Sequence, residues 1–114
     1  MKTLRMAVPT NGDRGMKEVV SEVFSRTATF TFIDIVDGEV KEVRWEENKA
    51  SALKQGAGPI VAKTLKEKGV DVVVASEFGP GAKTLLDMSG IKMVQVTPGV
   101  KVKEAVAEAL KQHA

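Results

Sequence analysis

Apolar residues recur along this chain in two rhythms, one of period two and one of period 3.6. Residues 4–9 form a short apolar run that breaks into Thr10-Asn11-Gly12-Asp13-Arg14-Gly15, which predicts a buried strand and then a turn-rich loop. Residues 18–25 are ambiguous, because Val19, Val20, Val23 and Phe24 fit a short helical turn as well as a strand. Residues 27–36 are β-branched and aromatic, with Phe30 and Phe32 on one face and Ile33 and Ile35 on the other. Such a strand belongs inside a sheet covered on both sides. Asp37-Gly38 then separates two strand-like runs, a strong hairpin signal. The return strand, residues 39–47, sets Val43 and Trp45 on one face and Glu42, Arg44 and Glu46 on the other, as an edge strand guarded by charge would.

The second half alternates helix and strand. After Asn48 an Ala/Gly-rich connector ends in Gln55-Gly56-Ala57-Gly58, and Pro59 suits the first position of a helix. In that helix Ile60, Val61, Thr64, Leu65 and Lys68 form a stripe that Gly69 stops. Residues 70–75 read as a buried strand, 82–89 as a helix ended by Gly90, and 91–96 as another strand. The last helix repeats Val102, Ala105, Val106, Ala109 and Leu110 at amphipathic spacing. The order β, β-hairpin, α-β-α-β-α predicts one α/β domain over residues 1–114. Its mixed sheet has about five strands, one hairpin strand running against the rest, and helices on its faces.

Composition narrows the chemistry. The 114 residues are 43% hydrophobic and 28% charged, an ordinary globular balance. There is no cysteine, and the one histidine is His113, near the chain end. That excludes disulfides, a thiolate-held cluster on this chain alone, a CxxC centre and a zinc finger, and it argues against histidine-based catalysis. Seventeen basic and fifteen acidic residues are interspersed, and aromatics are 4%, so nothing points to nucleic acid. No apolar stretch approaches the ~18 residues of a membrane span, and the N-terminal apolar run is too short for a signal peptide. A cytoplasmic protein is expected. Five Asn and Gln in total, with no Cys, lean toward a thermophile. Met6 and Met93 fall in predicted strands, where they read as core filling.

Several segments, taken in order and spacing, carry a family resemblance. They are Ala7-Val8-Pro9-Thr10-Asn11-Gly12, Phe24-Ser25-Arg26-Thr27-Ala28 leading into Phe30-Thr31-Phe32-Ile33-Asp34, and Gln55-Gly56-Ala57-Gly58 with its helix to Leu65. Gly69-Val70-Asp71-Val72-Val73-Val74, Phe78-Gly79-Pro80-Gly81-Ala82, Leu85-Leu86 and Gly90-Ile91 complete the set. The chain resembles the dinitrogenase iron–molybdenum cofactor biosynthesis family, a nitrogenase accessory factor-like domain. The resemblance implies a three-layer α/β/α sandwich of ribonuclease-H-like type, sheet order 3-2-1-4-5, with strand 2 antiparallel. It also implies a non-catalytic carrier of an iron–molybdenum or other metal–sulfur cluster, working beside a cofactor-assembly protein. Many relatives carry His-Phe-Gly where this chain has Val23-Phe24-Ser25, and Gln55 stands near another frequent histidine. The resemblance therefore implies that any cluster is held here by backbone amides, hydroxyls and Arg26, with the metal site itself lost.

If strand 1 neighbours strand 4, ligands belong in the crevice at their carboxyl ends. The cofactor-binding candidates are then Thr10, Asn11 and Gly12 after strand 1, Ser25 and Arg26 before strand 2, Gly56 and Gly58, and Gly79 and Gly81. Glycines before a helix expose amides that suit a small anionic ligand, but they equally build tight turns. Arg26 reads as an anion contact or as one side of a surface ion pair. Two rival readings remain. Asp13 and Glu77 are candidates for a divalent-metal-dependent hydrolase or transferase. Trp45 on the edge strand is a candidate for a protein-interaction module, with a monomer or weak homodimer expected.

Overall fold

In the computed structural model, five strands lie in the order β3-β2-β1-β4-β5. Residues 2–113 are described; Met1 and Ala114, the two ends of the expected domain, lie outside the described residues. The strands are β1 (Thr3–Thr10), β2 (Thr29–Val36), β3 (Glu39–Glu47), β4 (Val72–Ala75) and β5 (Lys92–Gln95). The helices are α1 (Ala57–Glu67), α2 (Pro80–Met88) and α3 (Val102–His113), and single 3₁₀ turns occupy Gly15–Lys17 and Lys49–Ala52. Strand β2 is antiparallel to both β1 and β3, whereas β1, β4 and β5 are mutually parallel. This is the expected mixed sheet of order 3-2-1-4-5.

The sheet divides two cores. Alternate side chains of one strand point to opposite faces, so Phe30 and Phe32 meet Val61 and Leu65 of α1 and Leu86 of α2 on one side. Ile33 and Ile35 meet Val102, Val106 and Ala109 of α3 on the other. The central strands follow suit, with Ala7 and Val73 on the first side and Met6, Val8, Val72 and Val74 on the second. The two-sided apolar pattern of β2 has its cause in this double burial.

Asp37 and Gly38 both take positive φ, 51° and 84°, the geometry of the tight turn that matches strand twist. Across β2 and β3 the pairing jumps from Asp34↔Glu42 to Ile35↔Val40, so Lys41 bulges out and the edge is irregular. Near the same end, Arg5 Nε donates to Asp34 Oδ1 at 2.7 Å and its Nη1 donates to the Lys68 carbonyl at 2.6 Å, strapping the end of α1 to the sheet. The Arg5 guanidinium holds the Asp34 carboxyl below the usual carboxylate range, burial opposing it and Arg44 adding to it.

Strand ends shift by one or two residues from the sequence reading, and the helix starts and residues 18–25 differ for physical reasons. Helix α1 begins at Ala57, two residues before Pro59, because Gly56 enters it in the left-handed region at φ 76°. Proline in the first turn removes no helical hydrogen bond, since those amides have no partner in the helix. Helix α2 begins at Pro80 rather than Ala82. Residues 18–25 are neither helix nor strand: single bridges join Val20 to Thr10 and Val19 to Lys101. Their backbone is drawn to the sheet end and to the loop before α3, as in the 2.8 Å bonds from Ser21 N to the Pro9 carbonyl and from Val20 N to the Val100 carbonyl. No helix among the described residues is long and apolar enough to cross a membrane.

Leu86 has no solvent exposure and closes the core beneath α2. Leu86→Ala is expected to lower stability by about 3 kcal/mol, read as a lower urea midpoint with an unchanged slope.

Candidate functional site

Strands β1 and β4 end together, because they are parallel neighbours, and β2 begins at the same edge, where Thr10 faces Thr29. All the loops of interest therefore open at one end of the sheet. Their side chains do not converge on one point.

The first group lies on the α3 side. Thr10 is fully buried, and its hydroxyl lies 2.6 Å from Thr29 Oγ1 and 3.0 Å from Thr31 Oγ1. Thr29 Oγ1 donates its hydrogen to the Gly12 carbonyl at 2.8 Å and accepts the Gly12 N–H at 3.1 Å. A hydroxyl has one hydrogen to give, so Thr10 must donate to Thr29, and Thr31 to Thr10. The chain of donors ends on the Gly12 carbonyl. The Thr10 hydroxyl is thus occupied inside the fold. Gly12 is confined as well: a Cβ there would lie 2.5 Å from Glu18 Oε1. Asn11 is exposed and borders a hollow of about 310 Å³ with Ser21, Val23 and Gly99.

Glu18 is a buried carboxylate that the sequence reading passed over. Only 3% of its side chain is exposed. It accepts from Arg14 Nε and Nη2, both at 3.1 Å, and from the amides of Val19 at 3.0 Å and Arg14 at 3.3 Å. The Arg14 guanidinium, with those two amides and against the cost of burial, brings its pKa down to about 2. The available signal was the i,i+4 spacing of Arg14 and Glu18 just ahead of Val19-Val20.

The second group lies on the α1 and α2 side. Phe24 is buried between Phe30 and Phe78, with ring centroids 5.7 and 5.9 Å away. The chain leaves that anchor through Ser25 and Arg26. Ser25 Oγ would be 3.5 Å from a Cβ on Gly58, an ordinary van der Waals distance, so the start of α1 lies beside this segment. Arg26 makes none of the ion pairs found among the described residues. Its guanidinium donates instead to the carbonyls of Leu53, of Lys54 at 3.1 Å and of Ser51 at 3.5 Å, gathering the 3₁₀ turn that leads to Gly56. Asn48, also not foreseen, pins the same junction by donating to the Ser25 and Thr27 carbonyls, each at 2.9 Å.

Helices α1 and α2 pack side by side. They start at Gly56 (φ 76°) and Gly79 (φ 71°), and neither has a side chain capping its first turn. Open space surrounds Gly56, Gly79 and Gly81, where an added Cβ would meet nothing within 4 Å. Unsatisfied first-turn amides and the helix dipole make such ends attractive to anions. Asp13 and Glu77 are both exposed, and among the described residues no three His, Cys, Asp or Glu side chains gather as a metal site. The larger hollows, of about 550 and 730 Å³, border β5 and α3 and include none of the predicted site residues.

The fold and this site define a small mixed-sheet α/β domain that presents backbone amides, rather than a side-chain cluster, at one end of its sheet. The chain belongs to the dinitrogenase iron–molybdenum cofactor family, whose model matches residues 2–112. It is similar to the orange protein of Desulfovibrio gigas, solved in its apo form, at 30% identity over 95% of this chain and 88% of that one, with a TM-score of 0.83. A NifB-like protein from Thermotoga shares 33% identity over 95% of this chain and 88% of that one, with a TM-score of 0.74. An uncharacterized protein of Methanocaldococcus jannaschii is 28% identical over 91 residues, which is 80% of this chain and 73% of that protein.

Glu18 supplies the sharpest test of how the first loop is held. Its folded pKa of about 2 lies below the ordinary 4.5, so its stabilisation is complete above pH 4.5 and drains away as pH falls toward 2. Glu18→Gln is expected to cost roughly 2 kcal/mol at pH 7. Denaturant melts at a series of pH values should show the gap between variant and parent closing across that acid window.

Proposed function

We propose that this chain is a non-catalytic carrier domain that holds an anionic metal–sulfur cofactor as cargo at the N-termini of α1 and α2. The observation that carries this reading is the pair of adjacent helix ends that begin at glycine, lack side-chain caps and face open space. Family membership supports it, because the family model is that of the iron–molybdenum cofactor of dinitrogenase. The donor set decides the manner of holding. Without cysteine, and with one histidine in the whole sequence, direct thiolate or imidazole coordination of iron does not fit. Outer contacts do. The amides at Gly58 and Gly81 donate toward sulfide or oxyanion acceptors, and Arg26 supplies a positive charge whose partners are neutral carbonyls. Hydrogen bonds to a charged group contribute about 1.5–3 kcal/mol each. Val23, 43% exposed, borders the Asn11 hollow and offers no donor; held by outer contacts alone, the cargo is exchangeable and passes to a cofactor-assembly partner.

Native mass spectrometry after anaerobic incubation with isolated iron–molybdenum cofactor tests this reading. One cluster per chain is expected. Arg26→Gln should weaken binding about tenfold, the worth of one charge-assisted bond, with its melting temperature followed in parallel. Val23→His tests whether an imidazole in the turn before Phe24 supplies a missing ligand. Absence of a cluster-bound mass from the parent chain rejects the proposal, and binding by Val23→His alone shows that this chain has lost the site.

A further inference from the structure

Asn11-Gly12 unites a reactive sequence with a guarded geometry. An Asn-Gly pair closes readily on itself because no Cβ shields the glycine nitrogen. The Asn11 side chain is exposed, and its carboxamide has no hydrogen-bond partner among the described residues. The electrophile is therefore free. The nucleophile is not: the Gly12 N–H is donated to Thr29 Oγ1 at 3.1 Å, and the same hydroxyl grips the Gly12 carbonyl at 2.8 Å. Thr29 itself is 7% exposed and cannot turn away without breaking its contact with Thr10. Glu18 blocks the other side, with Oε1 2.5 Å from the point where a Cβ on Gly12 would sit.

We propose that Asn11 is a deamidation site gated by the Thr29 clamp: the closed first loop keeps it as asparagine, and opening of that loop commits it to modification. In the step, the Gly12 amide gives its proton to water and its nitrogen bonds to Asn11 Cγ. The bond from Cγ to the side-chain nitrogen breaks, and that nitrogen leaves as ammonia after taking a proton from water. Water then opens the succinimide ring at either carbonyl, yielding aspartate or isoaspartate. No oxidant or reductant is needed. The isoaspartate product lengthens the backbone by one carbon where the Thr10-Thr29-Gly12 chain demands a fixed path, and either product places a carboxylate at the mouth of the crevice. The reaction rests on the first loop alone and is independent of what the helix ends bind.

Trypsin releases residues 6–14 as one peptide containing Asn11 and residues 45–49 as another containing Asn48, the only other asparagine. Asn48 is buried and bonded through both ends of its carboxamide, which makes it an internal control. The folded protein and a synthetic 6–14 peptide are incubated together at mildly alkaline pH and compared by peptide mapping. The peptide should deamidate at least about fivefold faster than the folded chain, the factor that one hydrogen bond supplies. Thr29→Val should accelerate Asn11 by a similar factor while Thr29→Ser does not, and Asn48 should stay unmodified throughout. If Thr29→Val does not fold, exchange of the Gly12 amide in the parent protein decides: slow exchange supports the clamp, and exchange at the free-peptide rate overturns it. Equal rates for peptide and folded protein, or an unchanged rate in a folded Thr29→Val, overturn the proposal as well.

Discussion

Everything at the working end of this molecule depends on the register between β1 and β2. Eight residue pairs run without a slip from Thr3↔Val36 to Thr10↔Thr29. Because side chains alternate with a period of two, a shift by one residue would turn Phe30 and Phe32 toward α3 and Ile33 and Ile35 toward α1 and α2. Both cores would be wrong at once. The same shift would carry Thr29 and Thr31 away from Thr10 and leave buried hydroxyls unpaired, a cost of about 1–3 kcal/mol for each such group. Apolar packing and the threonine chain thus select one pairing together, and that pairing fixes where the loops after β1 and before β2 can go.

Given that register, the 18 residues between β1 and β2 must travel from the α3 side of the sheet end to the α1 side. They do so in two anchored stages. Glu18, Val20 and Ser21 hold the first stage through Arg14, Val100 and Pro9, and Phe24 holds the second by entering the core beneath α1 and α2. Arg26 and Asn48 then tie the second stage to the segment before α1. The working end is accordingly two neighbourhoods separated by the sheet, one polar and closed around Gly12, the other open at the two helix starts.

Much of the architecture was legible in the chain. The two-sided apolar pattern of residues 30–35, Asp37-Gly38 and the stripe from Val102 to Leu110 each follow a local periodicity, and each appears where that periodicity places it. Local patterns fail where partners are distant in sequence. The i,i+4 spacing of Arg14 and Glu18 hints at their pairing but not that the carboxylate will be sealed under Gly12, and Arg26 gives no hint that carbonyls 25 to 28 residues away will claim it in place of an acid or a ligand. Helix starts were displaced for a related reason: glycine enters a helix from the left-handed region, while sequence rules look for the proline or polar cap that usually marks the first turn. The nine candidate residues share one end of the sheet, as topology required, but topology alone does not tell which face each side chain takes.

The positive φ at Gly56 and Gly79 reaches beyond local geometry. Serine, threonine, aspartate and asparagine quench a helix start from an extended backbone, a geometry that a positive φ does not provide even where asparagine or aspartate tolerates it. The direction of the main chain, rather than the identity of any one side chain, keeps both ends uncompensated. Amides fixed in this way keep their aim whatever side chains surround them. On the proposed reading, such a domain can change the side chains around its helix starts and still retain a place for a negatively charged guest.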